Sequence, residues 1–165
     1  SSRPIRGLSN VGRNFAFLHS PPTSFRVRQT AEVSAEEDPR VRILIVEDSS
    51  LVQRMYGLAF PKRLHVLVPA ANGLQALETL DASPEPFDLI LLDLRMPDMN
   101  GVEFLAALRR RAAAPPPVVL TTAEPADSPL VHEARSLGAA AVVHKPWKPQ
   151  DLQAVVQQVV PEVIQ

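Results

Sequence analysis

The 165-residue chain contains no cysteine, which excludes a disulfide framework, a thiolate metal site and a cysteine nucleophile. It has no apolar run near the roughly 18 residues that a membrane-crossing helix requires. No charge of one sign dominates. Seventeen Lys+Arg stand against eighteen Asp+Glu, a net charge of −1 at pH 7, so the basic footprint of a nucleic-acid binder is missing. Neither Gly-x-Gly-x-x-Gly nor a Gly-Lys-Ser/Thr phosphate loop occurs, and no segment repeats. What is present is 45% hydrophobic residues, enough for a packed core and too many for wholesale disorder. The length suits one domain with an appendage and is short for two. The expectation is a soluble, intracellular, single-domain protein without direct contact to nucleic acid or membrane.

The chain changes character near residue 40. Residues 1–40 carry six arginines (Arg3, Arg6, Arg13, Arg26, Arg28, Arg40) and four acids (Glu32, Glu36, Glu37, Asp38). Of the chain's 17 basic and 18 acidic residues this leaves 11 and 14 from position 41 onward, a net of −3. Apolar Ile5, Leu8, Val11, Phe15, Phe17 and Leu18 show no sustained alternation, and Pro21-Pro22 interrupts them. Three readings of this leader stay open: a linker or fragment of a longer protein, an organelle transit peptide rich in Arg and Ser, or a small ordered extension. Thr30 to Asp38 reads as a solvated hinge. The division is therefore 1–40 as linker or leader, 41–160 as the domain, and 161–165 as a tail.

From Val41 the periods become regular. Ile43 to Val46 is a short β-branched run of the kind buried on both faces of a sheet. Asp48-Ser49-Ser50 offers a helix N-cap, followed by Leu51, Val52, Met55, Leu58 and Ala59 at helical spacing. Gly57 within that helix costs about 1 kcal/mol against Ala. A second strand is expected over Leu64 to Val68. After the Asn72-Gly73 turn comes a helical stripe of Leu74, Leu77 and Leu80. Phe87 to Leu92 reads as a third strand ending in Asp93, and 96–101 as a loop. Val102, Phe104, Leu105 and Leu108 mark a third helix, with Arg109–Arg111 suited to its C-terminal dipole. Val118 to Thr122 is a fourth strand. A helix from Ser128 to Leu137 closes at Gly138, a fifth strand covers Ala140 to His144, and Asp151 to Val160 is the last helix. Five strands alternating with five helices specify a doubly wound α/β fold: a five-stranded parallel sheet with helices on both faces.

In such sheets the site lies at the carboxyl ends of the strands. Those ends hold Glu47-Asp48, Asp93, Thr121-Thr122 and His144-Lys145. Two carboxylates about 4 Å apart repel by roughly 4 kcal/mol at an effective dielectric near 20, so three need a cation or a shared proton. All-oxygen donors without His or Cys favour Mg²⁺. An Asp beside such an ion, a lysine and a hydroxyl makes a phosphoryl-acceptor site, in which the carboxylate attacks phosphorus and the cations offset the developing charge. Singly, each residue has an ordinary structural explanation: Asp as turn cap, Lys145 as surface lysine, Thr122 bonded to backbone. Their joint placement on the correct strands does not.

Residues 41 to about 160 resemble the receiver domain of two-component response regulators, a flavodoxin-like fold. The resemblance rests on Ile43-Leu44-Ile45-Val46-Glu47-Asp48, on Leu89 through Gly101 around Asp93, on Val118 to Ala123, and on Lys145-Pro146. It implies Asp93 as phosphoacceptor from a histidine kinase or histidine phosphotransfer protein. It implies Mg²⁺ held by Asp48, Asp93 and the backbone carbonyl of Arg95, with Glu47 assisting through water. Thr122 corresponds to the switch hydroxyl and Lys145 to the phosphoryl-pairing lysine, while Thr121 should face away by strand alternation. Output would pass to a downstream protein through the fourth helix, fifth strand and fifth helix. The location implied is cytoplasmic, with a plastid or mitochondrial one left open by the leader.

Val142 stands where many receivers carry Tyr or Phe, three residues before the lysine. Trp147 reads as a partly exposed packing residue and His144 as a surface strand-end residue, and His19, His65 and His132 lack metal-ligand spacing. Arg95 and Glu124, two positions beyond Asp93 and Thr122, are where the family tunes phosphate loss. Two competing readings remain. An aspartyl-phosphate phosphatase of the haloacid dehalogenase type needs an Asp two residues after the nucleophile, and Arg95 cannot donate that proton. A degenerate receiver would bind partners without phosphorylation, yet all the acceptor residues are present.

Overall fold

The computed structural model describes residues 40–111 and 114–163; the readings made for 1–39 and for the last two residues lie outside these. The elements are β1 (Val41–Val46), α1 (Ser50–Ala59), β2 (His65–Ala70), α2 (Gly73–Ala82), β3 (Leu89–Leu92), α3 (Gly101–Arg111), β4 (Val118–Thr122), α4 (Pro129–Ser136), β5 (Ala141–His144) and α5 (Pro149–Val159). All strand pairs are parallel, in the order β2-β1-β3-β4-β5. The chain leaves β1 for β2 on one side and returns to β3 on the other. The gap between the β1 and β3 ends is thus the topological switch point, where a crevice opens.

Strand alternation sorts the core into two layers. Leu44, Val46, Ile90, Leu92, Val118 and Leu120 pack with residues of α2, α3 and α4 on one face. Ile43, Ile45, Leu89, Leu91, Val119 and Val143 pack with residues of α1 and α5 on the other. Burial on both faces explains why these strands read as unbroken apolar runs. The sequence after Val160 does not simply trail away: Pro161–Val163 form a turn of 3₁₀ helix, and Val163 is buried.

Several element details differ from the sequence reading. β2 starts at His65 and continues through Pro69, which an edge strand tolerates because one side of its backbone makes no ladder bonds. β3 begins at Leu89 and not at Phe87. In α1 the leucines mislead: Leu51 and Leu58 are 69% and 70% exposed. They lie seven residues apart on one face, while Val52, Met55, Tyr56 and Ala59 form the inward stripe. Leu74 likewise points outward on α2. Trp147, expected to be partly exposed, is buried, its ring 5.0 Å from that of Tyr56.

Candidate functional site

Backbone ladders carry β1 and β3 one residue past their ends. Glu47 N–H donates to Ala70 O and Asp93 N–H donates to Val46 O, both at 3.0 Å. These bonds fix the two acidic residues side by side at the switch point. Gly101 keeps the approach possible, since a Cβ there would lie 2.6 Å from Asp93 O and 2.8 Å from Leu94 Cα. Asp48 follows β1 and is exposed, whereas Glu47 and Asp93 are buried.

Carboxylate oxygens of Glu47, Asp48 and Asp93 all lie within 4.8 Å of one another. Lys145, at the end of β5, donates from Nζ to Glu47 Oε2 at 2.6 Å and to Asp93 Oδ2 at 3.2 Å. Its own N–H donates to Thr122 O at 2.8 Å, joining the β4 and β5 ends. Asp93 Oδ1 accepts from Arg95 N–H at 3.3 Å, and Glu47 Oε1 from Ser49 N–H at 3.1 Å. One ammonium thus serves two of three clustered carboxylates, a charge imbalance that suits a further cation. The donor set is all oxygen, the chemistry of Mg²⁺. Toward solvent the cluster opens into a cleft lined by Asp48, Arg95, Met96, Asn100 and Leu130.

Burial pushes the Glu47 carboxyl above the usual glutamate range, against the opposing pull of Lys145. Burial alone would lower Lys145; the hydrogen bond to Glu47 and the charges of Asp93 and Glu47 outweigh it and raise the ammonium. Lys145 therefore stays charged, while burial makes Glu47 easier to protonate than a free glutamate.

Thr122 is fully buried at the β4 end, and its Oγ1 accepts from Glu124 N–H at 3.1 Å. Thr121 projects to the opposite face, where its hydroxyl bonds to Tyr56 Oη. The Arg95 side chain points outward and pairs with Glu124, Nε to Oε1 at 2.5 Å. His144 is exposed, its Nδ1 2.9 Å from Glu124 O. Val142 is partly buried against the core layer that includes Leu130 and Leu137. His65 is buried away from the cluster, its ring nitrogens facing Pro61 O and Val163 O. Sequence reasoning missed two residues here. Tyr56 was hidden by the louder leucines of α1, and Ser128 reads only as the start of the fourth helix, since no local period announces that its Oγ donates to Glu124 Oε2 at 2.7 Å.

Residues 43–157 match the model of the response regulator receiver domain. The chain is 30% identical over 120 residues to sporulation initiation phosphotransferase F of Bacillus subtilis, covering 73% of this chain and 94% of that one. It is 34% identical over 116 residues to the regulatory protein AtoC of Escherichia coli, covering 70% of this chain and 24% of that protein. Among solved structures, the chemotaxis protein CheY4 of Vibrio cholerae superposes with a TM-score of 0.66 at 29% identity, over 74% of this chain and all of that one. With its switch-point acidic cluster, its parallel five-stranded sheet and a match across most of its length, the chain belongs to the response regulator receiver domain family of two-component signalling.

Proposed function

We propose that this receiver takes a phosphoryl group onto Asp93 from a phosphohistidine of a histidine kinase or histidine phosphotransfer protein. The observation that carries the reading is the single Lys145 ammonium shared between Glu47 and Asp93, inside a cluster of three carboxylates. Asp48, Asp93 and the backbone carbonyl of Arg95 would hold Mg²⁺, with Glu47 assisting through water. The ion supplies neutralisation of charge on the transferring group. An oxygen of Asp93 attacks phosphorus, the P–N bond of the donor breaks, and its electron pair stays with the leaving imidazole. Lys145, already 3.2 Å from Asp93 Oδ2, turns from Glu47 to the new phosphoryl oxygens. Thr122 gives up Glu124 N–H and donates its hydroxyl to the phosphoryl group. The resulting acyl phosphate biases the face made by α4, β5 and α5, which a downstream protein reads.

The domain proper spans 41–160 in this proposal, with 1–40 as linker or leader, and its setting is the cytoplasm, where its phosphodonors would act. No helix of the described residues is long and apolar enough to cross a membrane. The phosphatase alternative is disfavoured because the residue two beyond Asp93 is Arg95, whose guanidinium is engaged by Glu124.

Acetyl phosphate with Mg²⁺ should label the protein with a base-labile phosphate. Asp93→Asn should abolish the label, and Mg²⁺ chelation should suppress it in the wild type. Labelling that persists in Asp93→Asn overturns the assignment.

A further inference from the structure

Glu124 ties the acceptor site to the start of α4. Its N–H donates to Thr122 Oγ1 at 3.1 Å, and its Oε1 accepts from Arg95 Nε at 2.5 Å. Its Oε2 accepts from Ser128 Oγ at 2.7 Å, and its carbonyl oxygen faces His144 Nδ1 at 2.9 Å. Ser128 occupies the N-cap of α4 with the extended backbone proper to that position (φ −60°, ψ 136°), yet its side chain makes no capping bond.

Three other helices start differently; at α5 the cap position holds Lys148, whose side chain has no oxygen to cap with and makes no capping bond. Ser49 caps α1 and Asn72 caps α2, each accepting an N–H of its own helix. Asn100 and Glu103 bond reciprocally at the start of α3. In α4, Pro129 has no N–H, so the amides of Leu130 and Val131 are those a Ser128 cap would serve. The far end of α4 is fastened independently. Arg109 donates from Nε to Leu137 O at 2.6 Å and from Nη2 to Gly138 O at 2.9 Å. The N-terminal turn is therefore the end free to change partners.

We propose that Glu124 is a positioning residue that withholds the N-cap of α4 while Asp93 is unmodified, and that phosphorylation hands Ser128 from Glu124 to the helix. The inference rests on the phosphoacceptor reading of Asp93. A phosphoryl group adds negative charge beside Arg95, whose backbone N–H already donates to Asp93 Oδ1, and it claims the Thr122 hydroxyl. Both are partners of Glu124. Relieved of them, the Glu124 carboxylate shifts, and Ser128 Oγ turns to accept from the first-turn amides. The α4 start then tightens, on the face a downstream protein would read.

Residue-resolved amide exchange on the full chain tests this. Without any phosphoryl mimic, Glu124→Ala should slow exchange at Leu130 and Val131 roughly fivefold, as expected for gaining an N-cap. Glu124→Gln should act in the same direction. The double variant Glu124→Ala/Ser128→Ala should lose the slowing. Wild type with Mg²⁺ and beryllofluoride should show it, and Ser128→Ala with the same additives should not. Faster or unchanged exchange in Glu124→Ala, as a bracing role alone would give, overturns the proposal. So does beryllofluoride binding that shifts the Leu94 and Arg95 amides but leaves α4 unchanged. Failure of beryllofluoride to bind sinks the phosphoacceptor reading instead, and the unliganded variants then decide on Glu124 and Ser128 alone.

Discussion

At Lys145 one ammonium faces two carboxylates, and Glu47 is the more deeply committed partner at 2.6 Å. Lys145→Met leaves Glu47, 1% exposed, without its cation, and the native state loses about 2–3 kcal/mol at neutral pH. Glu47 already has a raised folded-state value, so the native form binds its proton better than the unfolded chain does. Removing Lys145 raises it further. The deficit is therefore largest above that folded value and shrinks as pH falls toward the ordinary carboxylate range; urea unfolding of both proteins across acidic to neutral pH measures it. A second residue-scale prediction concerns Tyr56, whose phenol burial drives upward while the bond to Thr121 opposes the shift. A raised folded-state value contributes stability that is full below the unfolded phenol value near 10 and is lost as pH rises toward the folded value. Thermal unfolding of wild type should weaken on that alkaline limb, and Tyr56→Phe should flatten it while costing about 1 kcal/mol at neutral pH.

Among the elements, two glycines carry opposite weight, one read from the sequence as inside a helix and the other as the last residue of a loop. A Cβ at Gly57 of α1 meets nothing within 4 Å, so Gly57→Ala should stabilise the protein by up to about 1 kcal/mol through helix propensity. At Gly101, the first residue of α3, the same change drives a methyl into the backbone of Asp93 and Leu94. Gly101→Ala should cost about 1–3 kcal/mol in urea unfolding and reduce acetyl-phosphate labelling, because relief of the clash displaces the acceptor. Period alone could not separate the two, since the decisive atoms come from the chain's approach to itself at the switch point. The same limit explains α1. Its helical period was plain, but which face turns inward depended on Tyr56 reaching Thr121 of β4 and Trp147 between β5 and α5. Hydrophobicity alone ranked Leu51 and Leu58 ahead of it.

For the whole molecule, the proposed boundary near residue 40 predicts that removing residues 1–38 leaves the melting temperature within a few degrees of the parent. Stopping the chain at Val160 should lower it by several degrees, because Val163 is buried and its carbonyl oxygen lies 2.5 Å from His65 Nε2. Scanning calorimetry of both truncations separates these outcomes.

The sequence by itself determined the alternation of elements and the acidic residues at strand ends, because burial on both faces writes strands as apolar runs and a polar residue can enter only where a run stops. From that alternation the parallel sheet and the position of Glu47, Asp48, Asp93, Thr122 and Lys145 on one edge follow. Tertiary structure alone decided which oxygens Lys145 bonds, which way Ser128 turns, that Trp147 is covered, and which side of α1 faces the sheet. Those are matters of distance between segments far apart in the chain, and no local period encodes a distance.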